Sequence, residues 1–185
     1  YHLIKGIHQV CQEKPDELNF HLMVKNNELL KKEFGDFFTY KKYYSFYRKP
    51  IFRVKKKYNL WHSLNQNTKI EPFYKQPYLL TIHDVNFVEE VSNNPNHPVQ
   101  IRFKEKLKRA TAVTYISEFA KASTHQHFNV PNIPEFVIYN GNPIAALNIE
   151  SDFQAAIVPN SPFLFSIGEF TERKNFNSLI KMLAH

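Results

Sequence analysis

Apolar residues recur along the chain with two periods, and the two kinds of segment alternate. Helical spacing predicts helices over residues 3–12, 27–34, 99–109, 118–128 and 175–183. Short apolar runs predict strands over residues 19–24, 58–62, 78–82, 112–116, 136–139 and 163–167. Strands separated by helices favour a parallel sheet with right-handed crossovers. The sequence therefore predicts an α/β fold, a Rossmann-like parallel sheet flanked by helices.

Polar residues stand at the ends of the predicted strands. They are His62, His83, Asp84, Ser117, Asn140, Gly141, Gly168 and Glu169. Ligands of open parallel sheets bind beyond the carboxyl ends of the strands, so these residues are predicted to line one edge of the sheet. Ser117 is also a suitable N-cap for the following helix. The pair Asn140 and Gly141 suits a tight turn with positive φ.

Positive charge is concentrated in one part of the chain. The formal net charge is +7, and residues 37–70 are rich in Lys, Arg, Tyr and Phe but contain no Asp or Glu. We call this stretch the basic aromatic segment. It is expected to attract anions such as nucleic acid, acidic lipid headgroups or a phosphorylated substrate. The alternative is a solvated basic surface whose aromatic side chains pack inward.

Common nucleotide and metal motifs are missing from the sequence. With four glycines the chain has neither G-x-G-x-x-G nor a P-loop, which excludes a standard dinucleotide site and a P-loop NTPase. Cys11 is the only cysteine, and His125 and His127 point apart on a helix, so neither a disulfide nor a metal site is expected. Residues 1–14 lack a secretory signal and no apolar stretch is long enough to cross a bilayer, so a cytoplasmic protein is predicted.

Four segments of the chain, in order, resemble one protein family. They are 78–87 (YLLTIHDVNF), 110–121 (ATAVTYISEFAK), 137–142 (VIYNGN) and 163–176 (FLFSIGEFTERKNF), with a weaker fifth at 60–66 (LWHSLNQ). Together they are similar to motifs of the GT-B retaining glycosyltransferases, the mannosyltransferase-like group 1 or family 4. The resemblance implies an N-terminal acceptor-side domain over residues 1–157. It also implies the start of a C-terminal donor-binding domain over residues 158–185, with the chain truncated at both ends.

The resemblance implies retaining transfer of a sugar, such as mannose, from a nucleotide-diphosphate donor such as GDP-mannose. The acceptor would be a glycan or a lipid-linked sugar, and no cofactor or metal would be needed. By the matching motifs, His83 and Asp84 are catalytic residues near the reacting sugar. The donor diphosphate would be contacted by Gly168, Glu169, Arg173 and Lys174, and the acceptor side of the cleft would hold His62, Ser117, Asn140 and Gly141. Glu169 stands where many members of the family have Arg.

The resemblance also leads to expectations about partners. The basic aromatic segment is expected to face an anionic acceptor or a membrane surface, and nucleic acid is not an expected partner. Because the chain matches only the start of the family's donor-binding domain, the chain alone is expected to be inactive. Its C-terminal tail is expected to dock on the N-terminal domain or to pair with a second copy. Two alternatives remain open: a basic, aromatic Rossmann-like module that binds nucleic acid without catalysis, and an inactive scaffold fragment.

Overall fold

The computed structural model describes residues 1–13, 17–141, 160–163, 165–169 and 172–183, without the side chains of Ser45, Arg48, Arg173 and Leu183. The chain divides into two compact units, Tyr1–Pro143 and Ile144–His185. The domain boundary that the resemblance places after residue 157 lies outside the described residues and stays a prediction.

The first unit contains both helices and strands. In chain order they are α1 (His2–Cys11), β1 (His21–Val24), α2 (Glu28–Phe34), β2 (Thr39–Lys42), β3 (Trp61–Ser63), β4 (Tyr78–Ile82), α3 (Phe87–Glu90), α4 (Pro98–Arg109), β5 (Ala112–Tyr115), α5 (Glu118–His127) and β6 (Glu135–Val137). Two 3-10 helices, Ser45–Arg48 and Pro50–Phe52, lie between β2 and β3. The described part of the second unit holds a 3-10 helix, Glu172–Lys174, and α6 (Phe176–Leu183).

All strand pairs of the first unit are parallel. β1 pairs with β2, and a separate sheet has the order β3-β4-β5-β6. Because parallel neighbours cannot be joined by a tight hairpin, each connection crosses over outside the sheet. The chain passes through α3 and α4 between β4 and β5, and through α5 between β5 and β6. The predicted α/β fold with Rossmann-like parallel strands and flanking helices is confirmed.

One face of the four-stranded sheet forms the core. Side chains alternate along β4, where Tyr78, Leu80 and Ile82 are buried and the residues between them are half-buried. The register places Leu80 beside Val113 and Ile82 beside Tyr115, and both of these β5 residues are fully buried. α4 packs on β4 and α5 packs on β5, so the two helices cover this face.

Three phenylalanines join the covering helices to each other. Phe87 comes from α3, Phe103 from α4, and Phe128 from the residue that follows α5. Their ring centroids lie 4.6 to 6.0 Å apart, within the range of tilted aromatic contacts. All three rings are buried, with Phe103 only 2% exposed at the centre of the group.

β3 is shorter than predicted and begins later. The sequence predicts a strand over residues 58–62, but the backbone N–H of Tyr58 donates to Oε1 of Gln76 (3.0 Å) instead of to a strand. The first ladder bond is made by the backbone N–H of Trp61, which donates to the carbonyl of Pro77 (2.9 Å). A side-chain acceptor thus replaces the strand partner, and the predicted start is wrong by three residues.

β6 is shifted by one residue at its start. It begins at Glu135, where a strand over residues 136–139 is predicted, and it ends at Val137. One further ladder bond follows, because the backbone N–H of Ile138 donates to the carbonyl of Tyr115 (2.8 Å).

The strand predicted over residues 163–167 is wrong. Its described residues, Phe163 and Phe165 to Ile167, pair with no strand. A single extended run is stable as a strand only when a neighbour binds its N–H and C=O groups, and no described residue of the second unit belongs to one. Phe165 and Ile167 are 79% and 86% exposed, so the apolar pattern that predicts the strand remains unburied.

The basic aromatic segment contains one strand that the sequence does not predict. β2 pairs with β1 in parallel, with Val24 beside Lys42. Its burial does not alternate, since its first two residues are half-buried and its last two are exposed, and this hides the strand in the sequence. Phe34 and Phe38 are buried, and the ring of Phe38 lies 6.4 Å from that of Tyr40 in β2. The ring of His8 in α1 lies 5.2 Å from that of Phe34.

Replacing Phe103 with alanine tests the aromatic group between the helices. We expect Phe103→Ala to lower the free energy of unfolding by about 3–5 kcal/mol, because a buried ring is lost and a cavity is left. Phe119→Ala is the matched control, since Phe119 is 76% exposed, and it should change stability by less than about 0.5 kcal/mol. Urea denaturation followed by tryptophan fluorescence measures both, and equal effects would contradict the packing described.

Candidate functional site

His83 and Asp84 follow the last residue of β4 and are held by a buried glutamine. Oε1 of Gln66 accepts a hydrogen bond from the backbone N–H of His83 (3.0 Å), and its Nε2 donates to Oδ1 of Asp84 (3.5 Å). Gln66 is only 4% exposed, so its amide is fixed in this position. We call Gln66, His83 and Asp84 the sheet-edge cluster, because they lie where parallel sheets bind ligands.

The imidazole of His83 has a defined tautomer in this arrangement. Its Nε2 lies 2.9 Å from the carbonyl oxygen of Leu64, and a carbonyl oxygen can only accept, so Nε2 carries the proton. In its neutral form the ring presents Nδ1 as a hydrogen-bond acceptor. Such a group can orient a hydroxyl without removing its proton.

Asp84 shapes the turn that leads into α3. Its Oδ1 accepts from the backbone N–H of Asn86 (3.2 Å), the residue that precedes α3. In the described part of the chain Asp84 makes no hydrogen bond to the His83 ring. Gln66 forms hydrogen bonds to both residues. Asp84 therefore positions the loop around His83.

The side chain of His62 lies on one face of the sheet and not at the carboxyl ends of the strands. It is the middle residue of β3, and its Nε2 lies 2.8 Å from Oγ1 of Thr81 in β4. Oγ1 of Thr81 in turn lies 2.7 Å from Oγ1 of Thr114 in β5, so three strands share one polar row. Burial lowers the pKa of His62, which keeps the ring neutral.

Ser117 and the pair Asn140 and Gly141 occupy different parts of the edge. The predicted N-cap is confirmed, because Oγ of Ser117 accepts from the backbone N–H of Ala120 (3.1 Å). Asn140 and Gly141 are exposed and neither has a positive φ, while the residues after them, into which the predicted tight turn would extend, lie outside the described part of the chain. Nothing in the described backbone there requires the conformational freedom of glycine.

The proposed donor residues lie in the second unit. Gly168 packs close to the start of α6, where an added Cβ would lie 3.5 Å from Cζ of Phe176. Lys174 ends the 3-10 helix before α6, and its side chain, like that of Glu169, is exposed. Arg173 belongs to the same 3-10 helix, but its side chain is outside the described part of the chain. The structure thus joins the Gly168 loop to the residues around Lys174.

A cleft beside α4 is the main feature that the sequence does not predict. It has a volume of about 270 Å³ and continues into a second cavity of about 170 Å³. We call the two cavities together the α4 cleft. Its cationic side chains are Arg53, Lys69, Arg102, Lys106 and Arg109. The three from α4 recur at helical spacing and so lie on one face, a pattern that could have been found in the sequence.

A buried carboxylate organises one end of the α4 cleft. Oε1 of Glu71 lies 2.8 Å from Nζ of Lys106, and both side chains are less than a tenth exposed. The hydroxyl of Tyr78 donates to both oxygens of Glu71 (3.0 and 3.1 Å), and Arg109 NH1 lies 3.7 Å from Oε2. Burial raises the pKa of Tyr78, and the Glu71 charge adds to this effect. Burial lowers the pKa of Lys106 and the Glu71 carboxylate opposes that shift.

Some aromatic side chains of the basic aromatic segment pack against the core, and others are half exposed. Tyr43, Tyr47 and Tyr58 pack against the core, as the interpretation of a solvated basic surface requires. Tyr44, Phe46 and Phe52 are about half exposed (49%, 47% and 46%). Lysines lie over some of the rings, for example Lys56 over Tyr58 at 5.3 Å. The inward packing expected of a solvated basic surface is therefore present for some of the aromatic residues, and the attraction of anions stays a prediction.

Comparisons with known proteins identify no relative of this chain. No protein-family model, no curated protein and no solved structure matches the chain. Among the described residues, no helix is both long and apolar enough to cross a membrane. The fold itself defines the class, an α/β protein with Rossmann-like parallel strands and helices packed on the sheet.

The low pKa of His62 predicts a dependence of stability on pH. Below about pH 6.5 the unfolded chain binds the proton before the folded chain does, so the stability present above this pH is lost as the pH falls. We expect His62→Gln to reduce this loss, measured as the change in unfolding free energy between about pH 7.5 and about pH 5.5. His2→Gln, at an exposed position, should leave the loss unchanged.

The total pH dependence will not vanish in the variant. Burial and the charge of nearby Lys56 also lower the pKa of His21, so His21 contributes in the same direction. If the pH dependence of His62→Gln equals that of the unaltered protein, the neutral His62 ring bound to Thr81 is refuted.

Proposed function

We propose that this chain belongs to a retaining glycosyltransferase that uses a nucleotide-diphosphate sugar. Residues of the first unit would bind the acceptor, and the second unit would begin the donor-binding domain. The observation that carries the proposal is the sheet-edge cluster. The motif residues His83 and Asp84 lie at the carboxyl end of a central parallel strand, held by a buried Gln66. This is the place where proteins of this architecture bind ligands.

The geometry of His83 suits the positioning of a sugar hydroxyl. With Nε2 bound to the carbonyl of Leu64, the ring offers Nδ1 as an acceptor in a fixed orientation. Orientation of the reacting groups supplies much of the rate enhancement in group transfer. His83 would therefore orient the donor sugar or the acceptor, and Asp84 would hold the loop.

The residues around α6 suit the leaving diphosphate. Negative charge grows on the diphosphate as the bond to the sugar breaks, and fixed cations stabilise it. Lys174 is exposed next to the start of α6, and the following Asn175 has a positive φ of 51° that turns the chain into the helix. Arg173 would share this role, while Glu169 places a negative charge where the family often has a cation. GDP-mannose is our first choice of donor.

A transfer assay on the full-length protein tests this function. We expect sugar transfer with retention from one member of a panel of nucleotide sugars. Lys174→Ala should lower kcat/KM about 10- to 150-fold, because one charge-assisted contact to the diphosphate is lost. Lys181→Ala is the matched control, since Lys181 is an exposed lysine of α6, and it should leave kcat/KM unchanged.

A second pair of variants tests the sheet-edge cluster in the same assay. His83→Ala should lower kcat, while the exposed His2→Ala should not. Absence of transfer from every donor, or a product with inverted configuration, would refute the proposed activity. Transfer that is unaffected by His83→Ala would leave the activity but remove its assignment to this cluster.

The acceptor of this enzyme is proposed to lie at an anionic membrane surface. The half-exposed rings of Tyr44, Phe46 and Phe52 are suited to the membrane interface, and lysines beside them attract acidic headgroups. Each Lys or Arg close to such a surface contributes about 1 kcal/mol, an attraction that salt screens.

Vesicle co-sedimentation tests this surface. We expect binding to vesicles that contain anionic lipid, weakened by added salt and by Phe46→Ala. Phe119→Ala, which removes an exposed ring outside the segment, should bind like the unaltered protein. Binding to neutral vesicles of equal strength would contradict the proposal. Preference for single-stranded oligonucleotides over anionic vesicles would favour the nucleic-acid module instead.

A further inference from the structure

The charges in the α4 cleft are not balanced by one another. Five cations line a cavity of about 270 Å³, together with the two carboxylates of Glu71 and Glu105. Both carboxylates are already engaged. Glu71 is bound by Lys106 and Arg109, and Oε2 of Glu105 lies 3.8 Å from NH2 of Arg53.

Two cations of the cleft remain without a counter-charge. In the described ranges of the chain, Lys69 and Arg102 form no ion pair with a carboxylate. They line both cavities of the cleft. Arg102 stands one helical turn from Lys106, and like charges at this spacing repel each other. The ammonium of the buried Lys106 has three donors and, among the described residues, bonds to Glu71 and Ser63, which leaves one N–H for a ligand.

Neutral donors accompany the two free cations. Gln66, Asn67 and Thr68 line the smaller cavity beside Lys69 and Arg102. Guanidinium, ammonium, amide and hydroxyl groups together can saturate the oxygens of a tetrahedral anion. The volume of the larger cavity is just below the range of drug-sized sites, which suits a small ligand.

We infer that the α4 cleft binds a phosphate group, with Lys69 and Arg102 as its principal contacts. The ligand is inorganic phosphate or the monoester of a small molecule such as a hexose phosphate. Tyr78 and Glu71 lie at the amino end of β4, whereas His83 lies beyond its carboxyl end, about 16 Å away for five residues of strand. The Glu71 end of the cleft is therefore remote from His83, whereas Gln66 of the sheet-edge cluster lines the smaller cavity. The inference does not depend on the glycosyltransferase proposal.

Isothermal titration at constant ionic strength tests the site. The protein is titrated with inorganic phosphate, with a hexose phosphate and with chloride as the monovalent control. We expect saturable binding of one phosphate group per chain and none of chloride. Tighter binding of the hexose phosphate assigns the site to a monoester, and equal binding assigns it to the free anion.

Three variants of α4 are expected to affect phosphate binding differently: one weakens it, one strengthens it and one leaves it nearly unchanged. Arg102→Ala should weaken phosphate binding about tenfold, because one charge-assisted hydrogen bond is lost. Glu105→Gln removes a negative charge from the lining and should strengthen binding. Lys108→Ala removes an exposed lysine of the same helix that does not line the cleft, so binding should change less than about twofold.

All three side chains are exposed, so the variants are expected to keep the fold, which thermal unfolding checks. Lack of saturable phosphate binding by the unaltered protein would overturn the inference. It would also be overturned if Lys108→Ala weakened binding as much as Arg102→Ala, since net charge and not the cleft would then attract the anion. Phosphate binding that survives the loss of glycosyltransferase activity would separate this site from the proposed function.

Discussion

Residues Leu79 to Ile82 of β4 pair in parallel with Ala112 to Tyr115 of β5, and the side chains on one face of this pair are buried. The parallel direction forces the chain to leave the sheet and return to its other end, which it does through α3 and α4. The apolar face forces the same helices back onto the sheet, because burial of this face is the main favourable term in folding. The carboxyl ends of both strands then share one edge, and that is why His83 and Ser117 are found there.

The same constraint explains why an ion pair is buried beside the sheet. α4 must present Phe103 and Leu107 to the core, and helical spacing then carries Lys106 inward with them. An ammonium without a partner is costly at that depth, and Glu71, Ser63 and the core side of the helix surround it. Such a pair is weak evidence for added stability, since desolvation offsets the attraction. The pair has an electrostatic consequence. Because Glu71 is already neutralised by the buried Lys106, it does not compensate the charges of the cations further along the cleft.

The sequence predicts elements well where one local signal decides them, and poorly where a distant partner does. β4 and the N-cap of α5 match the predictions because an apolar run and a serine suffice. The start of β3 depends on Gln76, eighteen residues from Tyr58 in the chain, and the described residues of 163–167 pair with no strand. The site follows the same rule. Motif residues His83 and Asp84 are visible in the sequence, but the buried Gln66 that holds them and the pairing of Glu71 with Lys106 arise only from tertiary packing.

Charge is therefore sorted by the fold into three environments with different chemistry. At the sheet edge the polar groups are few and fixed, as Gln66 and the bonded His83 ring show, and this suits orientation of a neutral hydroxyl. In the α4 cleft several cations line one concave cavity, and their combined field attracts a compact anion. On the basic aromatic segment lysines lie beside aromatic rings, and rings such as that of Phe46 are half exposed. The net charge of +7 is thus spread unevenly, because the cations of the α4 cleft and those of the basic aromatic segment lie in different surroundings.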